Sequence, residues 1–165
     1  MENKRMAAAA LAVSGSMIIG LALNEGYKAN AYPDSGNVWT IGFGETKGVK
    51  QGDTTTPQRA LVVLGQSIDG YAKGVQSCVT APLYQYEFDA LVDGAYNAGA
   101  GAVCKSPMVH YFNLQQYEQA CESFKTWRTH DHEGHDCSSP EYIHKCGGVV
   151  NRRIYQYQTC IGAKK

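Results

Sequence analysis

The first pattern along this chain is an uncharged stretch at 6–23, preceded by Lys4 and Arg5. At about 1.5 Å per residue this stretch makes roughly 27 Å of helix, close to the thickness of a bilayer's hydrocarbon. The flanking positive charges would keep the N-terminus in the cytoplasm and place the rest outside. As an anchor the segment is weak. Six alanines (7–10, 12 and 22) together with Ser14, Gly15, Ser16 and Gly20 dilute Leu11, Val13, Ile18, Ile19, Leu21 and Leu23. Those apolar residues supply only about −2 to −4 kcal/mol of insertion energy, and Ser and Gly erode it. A segment so near balance can enter a membrane and leave it again. Two other readings stay open: a permanent anchor, and a signal peptide cut after the A-x-A pattern Ala29-Asn30-Ala31. The second is disfavoured because that pattern lies eight residues beyond the apolar run, past Glu25 and Lys28.

Further along, the spacing predicts a helix end over 21–28, with Glu25 near its C-terminus. The run 32–46 is rich in Gly, Pro, Asp and aromatics around Val38-Trp39-Thr40-Ile41, which predicts a small β-hairpin lobe. Thr56-Pro57 is a helix start, with a hydroxyl cap and then proline, and Ala60, Leu61, Leu64, Ile68 and Tyr71 keep helical spacing to about Ser77. YQYEFDALVDGAY over 84–96 predicts an amphipathic helix, broken by Asn97-Ala98-Gly99-Ala100-Gly101. Short helices follow over 108–112 and 117–127, then a polar, His-rich loop over 128–148 and a last helix over 149–160. The expected class is α+β, mostly α. The expected division is a membrane segment over 1–23 and a catalytic domain over 24–165. Within that domain come a β lobe at about 30–52, a linker helix at about 56–77 and a helical lobe at about 81–165.

A length of 165 residues suits one domain, or one domain with two lobes. Lys plus Arg equals Asp plus Glu, so formal net charge is zero. A nucleic-acid binder would carry a basic excess, and none is expected as a partner. Six Cys without a CxxC pair, behind an export segment, read as disulfides. Fifteen pairings are open. His130, His132, His135, Cys137, His144 and Cys146 could ligate zinc. A solvated loop with its two cysteines bridged is the preferred reading, so no metal or cofactor is expected.

The candidate chemistry lies in NEGYKANAYPDSGNVWTIGFGET, where Glu25, Asp34 and Thr40 are spaced Glu-x8-Asp-x5-Thr. Glycoside hydrolysis needs a proton for the leaving oxygen and support for an oxocarbenium-like centre or its attacking water. The C-terminal end of a helix disfavours another anion, which suits Glu25 as the donor. Asp34 on a hydrated hairpin suits the carboxylate role, and the Thr40 hydroxyl can position a water.

This stretch resembles the phage-type lysozymes, the endolysin muramidases of glycoside hydrolase family 24. AYPDSGNVWTIGFGET matches the family's Tyr–Asp–Gly…Trp–Thr–Ile–Gly–x–Gly run. PLYQYEFDALVDGAYNAGAGA resembles its second signature, and Trp127 with Gly148-Val149-Val150-Asn151-Arg152-Arg153 resembles its third. The resemblance covers nearly everything after Leu23. It implies a lysozyme-like two-lobed fold and cleavage of the β-1,4 bond between N-acetylmuramic acid and N-acetylglucosamine in peptidoglycan. Inversion by a water held near Asp34 and Thr40 is also implied, with the two carboxyls about 6.5–9.5 Å apart. Glu45 stands where the family usually has His, and is a possible substrate contact. Asn97 and Arg152 resemble cleft-lining residues; a helix C-cap and a surface charge are their plainer readings. The resemblance also suggests the pairs Cys78–Cys104, Cys121–Cys160 and Cys137–Cys146. Some relatives are signal-arrest-release endolysins, held at the host inner membrane, exported by host machinery and then released to the periplasm to lyse the host. The lack of Cys in 1–77 excludes the thiol-exchange form of that release. A monomer is expected. A lytic transglycosylase and an inactive, membrane-tethered wall-binding protein remain as alternatives.

Overall fold

The computed structural model describes residues 4–34, 36–131 and 133–163. The chain divides into two compact units, one built from 13–70 and the other from 1–12 with 71–165.

In the smaller unit, Ser14 caps helix α1 (Gly15–Glu25) by accepting a hydrogen bond from the Met17 N–H at 3.1 Å. Met17 and Leu21, one turn apart, are buried, while Ile19 and Leu23 stay exposed. Gly26 ends the helix at φ +69°, a backbone state that costs glycine little, and its N–H returns to the Ala22 carbonyl. Strand β1 (Lys28–Pro33) then pairs antiparallel with β2 (Trp39–Gly42), placing Tyr32 opposite Thr40 and Pro33 opposite Trp39. The loop after β2 folds back onto β1, since Ala31 N–H donates to the Asp53 carbonyl and Thr55 N–H to that of Ala29. Helix α2 (Pro57–Gln76) starts at the expected Thr56-Pro57 and buries Ala60, Leu64 and Ile68 along one stripe. It runs across the division between the units.

In the larger unit, α3 (Gln85–Ala98) is buried from Glu87 through Ala95 and packs along α4 (Ile143–Cys160). Phe88, Leu91, Val103, Met108, Phe112 and Phe124 fill the core. Of the shorter helices, α5 (Ala100–Cys104) packs on α3, α6 (Pro107–Asn113) on α7 (Tyr117–Ser123), and α7 also reaches α4. Helix α4 begins six residues before the expected 149. Gly147 and Gly148 read as a break, yet Gly147 is buried inside the helix, where an added Cβ would lie 2.9 Å from the Ile143 side chain. Disulfides join Cys78 to Cys104, Cys121 to Cys160 and Cys137 to Cys146, the same pairs that the resemblance suggested.

The uncharged stretch 6–23 does not form one element. Met6–Ala7 is a strand (β3) antiparallel to Pro82–Leu83 (β4), Ala8–Ala10 is a 3-10 turn, and residues 11–14 are irregular before α1 begins. Among the described residues, no helix is long and apolar enough to cross a membrane.

Candidate functional site

Glu25 is the last residue of α1 and is exposed to solvent. Asp34 follows β1 directly, where the chain turns. Its Oδ1 accepts the N–H groups of Gly36 at 2.9 Å and Val38 at 2.8 Å, and the Asp34 N–H donates to the Val38 carbonyl at 2.9 Å. The carboxylate therefore organises the turn that carries it, and one of its oxygens is fixed by backbone donors. Asn37 completes the turn at φ +60°, a left-handed state that asparagine tolerates better than most residues. Thr40 lies on β2, only 4% exposed, with its hydroxyl donating to the Val38 carbonyl at 3.0 Å. That bond leaves the lone pairs of Oγ1 as acceptors. All three residues belong to the smaller unit, on consecutive elements.

Glu45 is half-buried in the same unit. Its Oε1 accepts the N–H groups of Thr46 (3.0 Å) and Lys47 (2.7 Å), while Oε2 accepts the Ser67 hydroxyl of α2 at 2.7 Å. Its backbone pairs both ways with Ile41, the residue after Thr40. In this position Glu45 brackets the end of β2 to α2.

Asn97 and Arg152 lie in the larger unit, in a polar cluster between α3 and α4. Asn97, exposed near the end of α3, accepts a hydrogen bond at Oδ1 from Arg153 Nη2 at 2.7 Å. Arg152 Nε lies 3.3 Å from Asp93 Oδ1, which also accepts from Gln156 Nε2. Arg153 Nη1 reaches Gln156 Oε1 at 2.6 Å, and its guanidinium lies 4.7 Å from the centre of the Trp127 ring. Arg153 is 2% exposed. Burial, with Arg152 nearby, pushes its pKa down to about 10 despite the opposing attraction of Asp93. Sequence reasoning singled out Arg152 and passed over Arg153, Asp93 and Gln156. The available signal was a carboxylate in the middle of an apolar face, Phe88-Asp89-Ala90-Leu91-Val92-Asp93, which demands a buried partner.

In the His-rich loop, Asp131, Glu133 and His135 each offer a ligand atom within 4.8 Å of the others. Asp131 already accepts the N–H groups of Glu133 and His135 at 2.9 Å each, and its Oδ2 lies 3.0 Å from His135 Nδ1. These bonds hold Asp131 below the usual aspartate range, the backbone bond from His135 contributing most. Cys137 and Cys146 are bridged, and His132 lies outside the described residues.

Residues 22–155 match the family model for phage lysozyme. An endolysin of Salmonella phage P22 is 31% identical over 121 residues, covering 70% of this chain and 83% of that protein. A SAR-endolysin of Pseudomonas phage phiKMV is 31% identical over 160 residues, covering 96% of this chain and 92% of that protein. The structure of an endolysin from Escherichia coli O157:H7 phage FAHEc1 superposes with a TM-score of 0.80 at 26% identity, over 93% of this chain and 96% of that one. With the three signature stretches on the elements that carry Glu25, Asp34, Thr40, Asn97 and Arg152, and with a family match across both units, this chain belongs to the phage lysozyme family.

Proposed function

We propose that this chain is an endolysin muramidase that hydrolyses the β-1,4 bond between N-acetylmuramic acid and N-acetylglucosamine in peptidoglycan, with Glu25, Asp34 and Thr40 as its catalytic residues. One observation carries the assignment. Glu25 ends a helix, and Asp34 and Thr40 sit on the hairpin that follows at once, in a chain that belongs to the phage lysozyme family. Glu25 gives its proton to the leaving glycosidic oxygen. Asp34, as a carboxylate, holds and polarises the attacking water together with Oγ1 of Thr40. Attack from the face opposite the leaving group inverts the anomeric centre. Asn97 and Arg152 contact the sugar or its peptide. The backbone donors on Asp34 Oδ1 support this role, because they fix where the carboxylate sits at the end of the hairpin.

The protein acts in the periplasm as a monomer, after the segment 6–23 has carried it through host export and then left the inner membrane. The full-length similarity to a SAR-endolysin supports this part of the reading, as does the weak insertion energy of a stretch that is interrupted when folded in water.

The test is purified Glu25→Gln protein on permeabilised cells. Clearing should fall by about 10²–10⁴-fold with an unchanged circular dichroism spectrum. Activity like that of the parent protein would remove Glu25 from the mechanism. Products with reducing ends, first released in the α configuration, are expected. Anhydro sugars would instead show a lytic transglycosylase. Intact-mass measurement of the soluble form should find 6–23 still attached, and a chain starting near Tyr32 would show signal-peptide cleavage.

A further inference from the structure

Residues 4–12 carry more long-range contacts than an export segment needs. Arg5 grips Glu87 through two bonds, Nη2 to Oε1 at 2.7 Å and Nε to Oε2 at 3.1 Å. Its guanidinium also lies 3.4 Å from the centre of the Tyr117 ring and 4.2 Å from that of Tyr84. Glu87 is 2% exposed and caps the N-terminus of α3 by accepting the Tyr84 N–H at 2.8 Å. Beyond Arg5, β3 pairs with β4, and Ala8 and Leu11 are buried. Gln76 Nε2 donates to the Leu11 carbonyl at 2.9 Å, and Gln85 Nε2 to the Ala12 carbonyl at 2.7 Å.

These contacts exclude a helix. A membrane-spanning helix needs the carbonyls of residues 11 and 12 for its own ladder, because lipid offers no other donors. In the folded protein those carbonyls belong to two glutamines of the larger unit. The same residues can serve the bilayer or the enzyme, and not both at once. A surface carboxylate would suffice to cap α3, so a cap alone does not account for burying Glu87. Glu87 is buried with residues 4–12 in place, so closing Arg5 on it pairs the charge as it leaves water.

We propose that residues 4–12 form a release clasp: the bilayer and the larger unit compete for this segment, and closure of Arg5 on Glu87 captures the enzyme once it has left the membrane. The proposal rests on the release reading above and adds the group that makes release favourable. While the segment is inserted, Arg5 lies across the bilayer and Glu87 has lost its partner.

The test places the changes outside the segment, so that its insertion propensity stays as it is. Full-length Glu87→Gln and Gln76→Leu are expressed under host export, and membrane and soluble fractions are compared by intact mass. Each should lower the soluble-to-membrane ratio, Glu87→Gln by about tenfold, while the purified soluble protein keeps its turnover on permeabilised cells. Hydrogen exchange gives a readout independent of the membrane. The Met6 and Leu83 amides, the hydrogen-bonded pair of β3 and β4, should exchange slowly in the soluble parent protein and quickly in Glu87→Gln. Unchanged fractionation in both variants would overturn the competition, and fast exchange at Met6 and Leu83 in the soluble parent would overturn the clasp itself. A parent protein never found in the membrane fraction would sink the release reading, whereas slow exchange at those amides would still show the contact closed.

Discussion

Two glycines in α2 predict opposite outcomes for one substitution. At Gly65 an added Cβ meets nothing within 4 Å. Gly65→Ala should gain the helix propensity that glycine lacks, about 0.8–1.0 kcal/mol, with nothing to offset it. At Gly74 the added Cβ would stand 2.4 Å from the Ala100 Cβ and 3.9 Å from its Cα. Neither atom can move away by rotating a side chain, so a backbone must shift by about 1 Å to reach ordinary contact. The Cys78–Cys104 disulfide joins residues four positions beyond each partner, which resists that shift. Overpacking of this kind costs about 1–3 kcal/mol, so Gly74→Ala should lose up to about 2 kcal/mol after the propensity gain is counted. Urea unfolding of the oxidised proteins would read both, as a rise in midpoint for Gly65→Ala and a fall for Gly74→Ala with similar slopes. A rise for both would show that α2 and α5 do not approach each other as closely as described.

Reduction should destabilise the protein, and the closed-loop lengths set an order. Separations of 39, 26 and 9 residues give about 3.9, 3.5 and 2.6 kcal/mol in the chain-entropy model. Pairwise Cys→Ala melts should therefore rank Cys121–Cys160 as most costly and Cys137–Cys146 as least, and the reverse order would contradict that account. Arg153→Met should keep the fold but free Asn97 and leave Gln156 short of a partner, lowering stability by about 2–4 kcal/mol. Thermal unfolding checks the loss, and an unchanged midpoint would refute the network. Asp131 and Asp136 both lie below the usual aspartate range, through hydrogen bonds from His135 and from Ser138 respectively. Their contribution to loop order is thus complete above that range and is lost as pH falls through the lowered folded-state values. Protection of the Glu133, His135 and Ser138 amides, taken relative to their intrinsic exchange rates, should fall only in acid, and its loss near neutrality would contradict the carboxylate account.

Much of this was legible because it is local. Thr56-Pro57 marks the start of α2 by cap chemistry, and Glu25, Asp34 and Thr40 stand out against a turn of Gly, Pro and Asn. The fate of 6–23 was not legible, because hydropathy measures transfer of a segment into lipid. It does not see that Gln76 and Gln85 take the carbonyls of Leu11 and Ala12. The early start of α4 was hidden behind Gly147-Gly148, a pair that usually breaks helices. Arg153 was masked by its neighbour. In a doublet of arginines only the direction of the helix face decides which one is buried, and that face is set by Asp93 and Trp127 from distant parts of the chain.

The placement of the two tryptophans has an optical consequence. Trp39 is half-buried on β2 in the smaller unit, and Trp127 is buried beneath Arg153 in the larger one. Each unit thus carries its own intrinsic fluorophore, in a different environment. Replacing either with Phe leaves a single tryptophan, excited apart from the tyrosines at the red edge of the band, to report on one unit. Comparing the two unfolding curves would show whether the units melt together or in sequence, without any label attached to the protein.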